Sequence, residues 1–379
     1  MGGTDVLLAG SDRRFGADQF YGNYDSWERT KGWFAGLTQD LGEKTQAAVA
    51  FRRHTDDFVL LREAPAVYEN HHVDTSWQGV VRRRDDLPWK RSGVFYGVEE
   101  DADQINSTNL GRHGRNRGAG YVDAELRGWS RGTISAGLRE EIFSGGVSAA
   151  VPSAAGSFWV GKSVKLRGAA ARGFRLPTYT DLYYSDPTTV GNPGLKAESA
   201  WSFEGGADWY AGDKLTATLT VFHSTQKDAI DYVRANAASK WQAENLSGVQ
   251  FTGVEAGLDW RPLAGQTVRL GLTTLSGAQS ALGGYQSEYV FNYPVENATA
   301  EWVGRWKNGL LLRQRLRVVN RVDRGVSPVW DASAVWGSGR VRPYLQGTNL
   351  SNTGYEEVVG VRMQGRAVVG GVEVVLGRK

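Results

Sequence analysis

The stretch Trp201-Ser202-Phe203-Glu204-Gly205-Gly206-Ala207-Asp208-Trp209 decides the fold class. Its odd positions are apolar or glycine and its even positions include Ser202, Glu204 and Asp208, a period of two that places successive side chains on opposite faces of a strand. The same alternation recurs outward in both directions. Leu215, Ala217, Leu219 and Val221 alternate with Thr216, Thr218 and Thr220. Val254, Ala256, Leu258 and Trp260 alternate with Glu255 and Asp259, and Leu310, Leu312, Leu316 and Val318 face away from Arg313, Arg315 and Arg317. The chain is all-β.

Soluble sandwiches and propellers also alternate, and three details favour a transmembrane barrel. Trp201 and Trp209 lie eight steps apart, roughly 26 Å along a strand, which matches aromatic girdles at the two edges of an apolar band. The polar face carries Glu204, Asp208, Glu255, Arg313 and Arg315, which a packed core would not hold but a wet lumen can. Finally, short connections alternate with long ones. The short set is Leu41-Gly42-Glu43, a looser turn near Pro88, Ser130-Arg131-Gly132, Gly161-Lys162-Ser163, Ala211-Gly212-Asp213, Leu263-Ala264-Gly265, Lys307-Asn308-Gly309 and Gly337-Ser338-Gly339. The long set covers Glu63 to Asn70, Ile105 to Arg117, Pro177 to Ser199, Arg234 to Glu244, Gly277 to Pro294 and Asn352 to Gln364. The expectation is an antiparallel barrel of about 18 strands with tight periplasmic turns, extended external loops and both termini in the periplasm.

Composition agrees. The 379 residues hold 49 Gly, 14 Trp, 15 Tyr and 13 Phe but no Cys, which rules out disulfides, thiolate catalysis and Cys-based metal sites. The 44 basic and 41 acidic residues are dispersed and leave a net charge of +3, so nucleic-acid binding has no support. No apolar run approaches the roughly 20 residues of a membrane helix. The five His, at 54, 71, 72, 113 and 223, show no ligand spacing, and no motif marks an activated nucleophile. The expectation is therefore no enzyme, no metal and no cofactor. Asp56-Asp57, Asp85-Asp86 and Asp101-Ala102-Asp103 read as solvated turns, with Ca²⁺ binding the sharper alternative.

From Ala171 the chain reads Ala171-Arg172-Gly173-Phe174-Arg175-Leu176-Pro177-Thr178, then Leu182-Tyr183, then Gly191-Asn192-Pro193-Gly194-Leu195-Lys196-Ala197-Glu198. Further on stand Asn245, Gly248 and Gly253-Val254-Glu255, then Asn349-Leu350-Ser351-Asn352, Tyr355 and Gly365-Arg366. As an ordered set these landmarks resemble TonB-dependent outer-membrane receptors, with Arg175, Pro177, Thr178, Asn192, Pro193, Leu195, Glu198, Gly365 and Arg366 as the matching positions. The N-terminal half is similar to the cobalamin-receptor branch in Phe15-Gly16-Ala17, Phe20-Tyr21, Arg52-Arg53-His54-Thr55-Asp56 and Asn70-His71-His72.

The resemblance implies an outer-membrane importer for a scarce, bulky nutrient, cobalamin before a ferric siderophore, embedded in lipid and energised through TonB. It also implies about 22 strands and an N-terminal plug. Residues 1–379 then correspond to the later part of such a barrel, with the plug and about four strands missing. The ending Val375-Leu376-Gly377-Arg378-Lys379 departs from the aromatic terminus usual in the family. Loop aromatics are the expected ligand contacts, because Tyr and Trp offer flat stacking area with a polar tip: Tyr183, Tyr184 with Asp186, Trp241, Tyr285, Tyr289 and Tyr293. Membership of the outer girdle is the alternative for them. A self-sufficient passive porin of about 18 strands and a soluble all-β binding protein remain as rival readings of the whole chain.

Overall fold

The computed structural model describes residues 2–18, 24–89, 91–278, 282–337, 339–358 and 361–374. Its main feature is one 18-stranded sheet in which each strand pairs antiparallel with its neighbours along the chain. The strands are β1 (Thr4–Gly16), β2 (Trp27–Asp40), β3 (Thr45–Val59), β4 (Glu69–Asp86), β5 (Gly93–Ser107) and β6 (Gly111–Trp129). They continue with β7 (Gly132–Phe143), β8 (Ser148–Val160), β9 (Val164–Arg175), β10 (Glu198–Ala211), β11 (Leu215–Lys227) and β12 (Val249–Trp260). Last come β13 (Gln266–Gly277), β14 (Pro294–Arg305), β15 (Leu310–Arg321), β16 (Val326–Trp336), β17 (Val341–Thr348) and β18 (Ala367–Val374). Among the described residues β1 pairs with β2 alone and β18 with β17 alone.

Register turns the alternation of each strand into two continuous faces. Trp33 of β2 sits opposite Gly10 of β1, and Leu219 of β11 lies between Ala207 of β10 and Ala256 of β12. One face is therefore apolar and open. Leu219 and Val221 are each 50% exposed, and Trp33, Trp77, Trp209, Trp260 and Trp336 stand exposed around the wall. A row of exposed aliphatic side chains rimmed by Trp is stable against hydrocarbon and not against water. The opposite face carries cross-strand ion pairs. Arg139 bonds Glu99 at 2.7 Å, as well as Glu141 two residues on in its own strand, Arg117 bonds Asp101 at 2.6 Å, and Arg269 bonds Glu301 at 2.8 Å. Arg167 bonds Asp208 at 3.1 Å and also reaches Thr220.

All the expected short turns lie at one rim, although Ser338 falls outside the described residues. Gly161 and Gly212 take φ values of 76° and 66° there, a left-handed conformation that favours glycine. Thr4 and Val374, the described ends of the first and last strands, are at this same rim. The other rim is less uniform than its sequence suggests. The expected long loop Ile105 to Arg117 is a correction: β5 runs to Ser107, β6 starts at Gly111, and only Thr108-Asn109-Leu110 separate them. Gly111 at φ 81° makes the tight turn, and the polar alternation on either side extends the strands beyond the apolar band. Residues 144–147 and 322–325 are likewise short links at this rim. Asp56, Asp57, Asp85, Asp86, Asp101 and Asp103 all lie within strands, not in turns, because residue-by-residue pairing continues through them. Asp85 and Asp101 are taken up by Arg83 and Arg117.

These two faces separate the effects of one new charge. In lipid vesicles Leu219→Arg, on the apolar face, should lose about 2–4 kcal/mol of folding free energy, whereas Thr218→Arg, on the charged face, should stay within about 1 kcal/mol of the parent. Urea titration followed by Trp fluorescence reads both.

Candidate functional site

The long loops at one rim build a second, smaller structure. Four short strands form a separate sheet in the order Thr189–Val190, Trp241–Leu246, Ala229–Arg234 and Gln286–Ser287, drawn from the connections after β9, β11 and β13. Thr189–Val190 pairs parallel with Trp241–Gln242, and the other pairings are antiparallel. The expected loop from Arg234 to Glu244 is thus corrected to a hairpin with its tip at residues 235–240. Beneath the sheet Ala229, Val233, Leu246, Val249 and Phe291 form a buried cluster, joined by Phe251 and Tyr293.

Asp231 binds this structure together. It is 1% exposed in an otherwise apolar run. Its carboxylate accepts from the main-chain nitrogens of Tyr232 at 2.8 Å and Tyr289 at 3.1 Å and from the Ser287 hydroxyl. Burial pushes its carboxyl pKa up while these donors pull it back. A buried acid with its donors supplied by a neighbouring loop fixes the loop's position.

The family landmarks fasten the same loops. Thr178 and Asp181 form a capping box on α1 (Tyr179–Tyr183): the Thr178 hydroxyl accepts from Asp181 N at 3.0 Å and the Asp181 carboxylate from Thr178 N at 2.9 Å. Arg175 bonds Glu198 at 2.6 Å and Asp181 at 3.3 Å, and Glu198 also accepts from Ile230 N at 2.8 Å. Pro177 ends β9, and its carbonyl accepts from Arg115 on β6 at 2.9 Å. Asn192 closes the turn through Pro193, accepting from Gly194 N at 2.9 Å and donating to the Ala243 carbonyl at 3.1 Å, while Leu195 N returns to the Asn192 carbonyl. Gly191 lies so close to Asp181 and Leu182 that a Cβ would come within 2.9 Å of their main chain. Farther along, Arg366 N bonds Asn352 at 3.1 Å, and a Cβ on Gly365 would press on the same side chain.

The candidate ligand contacts divide. Tyr183 stacks on His113 with ring centroids 3.7 Å apart. Tyr184 is half-buried and donates to Asp186 at 2.9 Å, and Asp186 also accepts from the main-chain nitrogens of Thr188 and Thr189. Trp241 lies under the Arg234 guanidinium at 4.1 Å. Parallel pairing with Thr189 brings Trp241 to the same side of the rim as Tyr184 and Asp186. Tyr285 and Tyr289 are half-exposed, and Tyr289 packs edge-on against Tyr232. Tyr293 is different: its hydroxyl accepts from Gly277 N at 2.6 Å and its ring packs on Phe251, so it belongs to the loop core. Tyr68, Tyr179, Arg115 and Asp231 escape the sequence reading. Tyr179 donates to Asp103 at 3.1 Å and lies 5.0 Å from the Arg115 guanidinium, which carries the loop after β9 across to β5 and β6. For Asp231 the signal is an acid isolated between Ile230 and Tyr232; for the others, contacts across about 40 to 76 positions leave no local mark.

Two cavities of about 380 Å³ lie beside this inward-leaning loop, lined by Asp101, Asp103, Arg115, Arg117, Glu141 and Arg175 among others. Among the described residues no three His, Asp or Glu side chains converge as metal ligands.

The chain matches the family model described as TonB dependent receptor-like, beta-barrel, over residues 2–363. It belongs to that family. This makes it an outer-membrane transport receptor and not an enzyme. No curated protein sequence matches it. Among solved structures it resembles the siderophore receptor PirA from Pseudomonas aeruginosa at 16% identity and a TM-score of 0.74, covering 98% of this chain and 68% of that one. The FrpB iron transporter from Neisseria meningitidis (F3-3 variant) gives 16% identity, a TM-score of 0.75 and coverages of 97% and 69%. A mutant of the ferric enterobactin receptor PfeA from Pseudomonas aeruginosa, in complex with enterobactin, gives 15% identity, a TM-score of 0.75 and coverages of 96% and 67%.

These neighbours are siderophore and iron receptors, which overturns the cobalamin-branch resemblance. The physical reason lies in where its motifs fall. Phe15-Gly16, Arg52 to Asp56 and Asn70-His71-His72 are parts of β1, β3 and β4, where alternation follows from pairing in the wall; Phe20-Tyr21 lies outside the described residues.

Two outcomes test this site. Asp231→Ala strands its former donors and should raise amide exchange in 229–246 and 282–293 by roughly 10-fold or more, an effect of about 1–3 kcal/mol, with the barrel strands unchanged. Glu288 has its pKa raised to about 6, chiefly by burial, with Asp231 adding to it. A folded pKa above the unfolded value contributes stability that is full below the unfolded value and lost as pH rises through about 6. Corrected protection of residues 282–293 should therefore fall between pH 5 and pH 7, and Glu288→Gln should abolish that dependence.

Proposed function

We propose that this barrel serves the uptake of a ferric siderophore, captured at the long-loop rim and moved inward with energy drawn through TonB. The observation that carries the reading is the loop sheet itself. Three successive long loops, cross-braced by Asp231, Arg175 and Asn192, hold Tyr184, Trp241, Tyr285 and Tyr289 as a set of aromatic and polar contacts beside a charged inner face. A bulky chelate with both apolar and polar faces needs broad contact surface held rigidly with a few polar contacts, and that is what such a set supplies. The siderophore and iron specificities of the similar structures support the same cargo class. In this reading the long-loop rim faces the exterior, the short-turn rim and both described ends face the periplasm, and Tyr183 and Tyr293 support the contact surface without forming it.

Ferric enterobactin and a ferric trihydroxamate, titrated into the refolded chain in micelles, provide the test through quenching of Trp fluorescence. One of the two chelates should saturate at micromolar concentration or below, and Trp241→Ala should weaken it about 10-fold. Failure of both chelates, together with a steady open conductance in planar bilayers, would overturn the proposal in favour of a passive pore.

A further inference from the structure

One cavity at the long-loop rim differs in chemistry from the rest. It measures about 260 Å³ and lies between the loop after β9 and the outer ends of β2, β3 and β4. Tyr24, Phe58, Tyr68 and Tyr184 line it, and Phe58 and Tyr68 meet edge to face at 6.4 Å. Its charged lining is Glu28, Asp56 and Asp186, with His72 beside them, and no Lys or Arg is among the described lining residues. Lys240 donates to the main-chain oxygen of Asp186 at 2.9 Å.

Register explains why these groups meet. Glu28 pairs with Phe58, and Asp56 two residues earlier pairs with His72 on the other side, so Glu28, Asp56, Phe58 and His72 share the inner face of three adjacent strands. Asp186 has its acceptors filled by Thr188, Thr189 and Tyr184. Asp56 is not so served. Its Oδ1 and the Nδ1 of His72 are both buried without a hydrogen-bond partner among the described residues. Orphaned polar atoms cost free energy that a ligand donor recovers on binding. Electron-rich rings together with carboxylates attract a cation, and the site volume suits the head of a ligand more than a whole chelate.

We propose that this cavity binds an organic ammonium group, with Asp56 and Glu28 as its counter-ions and Tyr68 and Tyr184 as its aromatic walls. Resting on the siderophore reading above, the inference narrows the cargo to an iron chelate that carries a positively charged amine arm. The remaining contact surface, from Trp241 to Tyr289, then holds the chelate body while this cavity selects the arm. An anionic chelate without such an arm gains nothing from the site.

The test separates cavity from cargo. Isothermal titration of the full chain in micelles with benzylammonium and with benzyl alcohol should show the ammonium binding at least 10-fold more tightly. Asp56→Asn and Glu28→Gln should each remove most of that preference while keeping strand circular dichroism and heat-modifiable gel mobility. Tyr68→Phe should retain it, since the ring remains. Equal binding of the two probes, or a preference untouched by both carboxylate variants, would overturn the inference. In a second arm a ferric trihydroxamate with a free terminal amine should bind at least 10-fold more tightly than its N-acetyl derivative. Tight binding of a ferric tris-catecholate with no difference between the amine and its acetyl form would overturn the inference and leave the siderophore reading standing. Failure of all three chelates would overturn that reading as well.

Discussion

The structure depends on the strand-to-strand succession of main-chain hydrogen bonds from β1 to β18. Inside a bilayer no water is present to satisfy a peptide group, and each unsatisfied N–H or C=O costs several kcal/mol, so a strand can cross only beside another strand. Every other feature follows from keeping that ladder continuous. Links between strands must be tight or must fold outside the membrane, and register must place all apolar side chains on one face, since a slip of one residue would reverse them. Thirteen consecutive pairings between β10 and β11, from Ser199 with Lys227 to Ala211 with Leu215, show how strictly this is held.

The inner face satisfies its charges by the same geometry. Side chains directly opposite or diagonal on neighbouring strands lie within reach of one another, so Arg117, Arg167 and Arg269 each meet an acid from an adjacent strand, and Arg139 reaches across β6 to Glu99 on β5. Partly exposed pairs of this kind contribute little individually. Their role is to keep a polar wall internally neutralised, with free capacity concentrated where pairing stops. At the long-loop rim Asp56 and His72 keep atoms without a partner among the described residues.

The landmark residues read as loop architecture. Arg175, Thr178, Asn192 and Glu198 hydrogen-bond to the main chain and to one another, tying the loop after β9 to the hairpin of Ala229–Arg234 and Trp241–Leu246. A motif whose groups are consumed in this way identifies the scaffold and carries little about the ligand. That is why the landmarks led correctly to the receptor family, while the cobalamin assignment, resting on short matches inside wall strands, did not hold.

Much of the wall was legible because its signals are local. Period-two alternation at Trp201 to Trp209 states which residues share a face, and glycine turns such as Gly161 and Gly212 state where the chain reverses. The stretch from Ile105 to Arg117 misled because strands rising beyond the apolar band lose their hydrophobic signature and look like loop. The sequence by itself determined most of the wall strands, their faces, their approximate number and the family. Only the tertiary structure decided that Tyr293 is core, that Asp231 braces two loops, and that Tyr184 joins Asp56 and His72 at one cavity. Those contacts join residues tens to more than a hundred positions apart through the curvature of the wall and the folding of loops across its rim, and no local pattern encodes such distances.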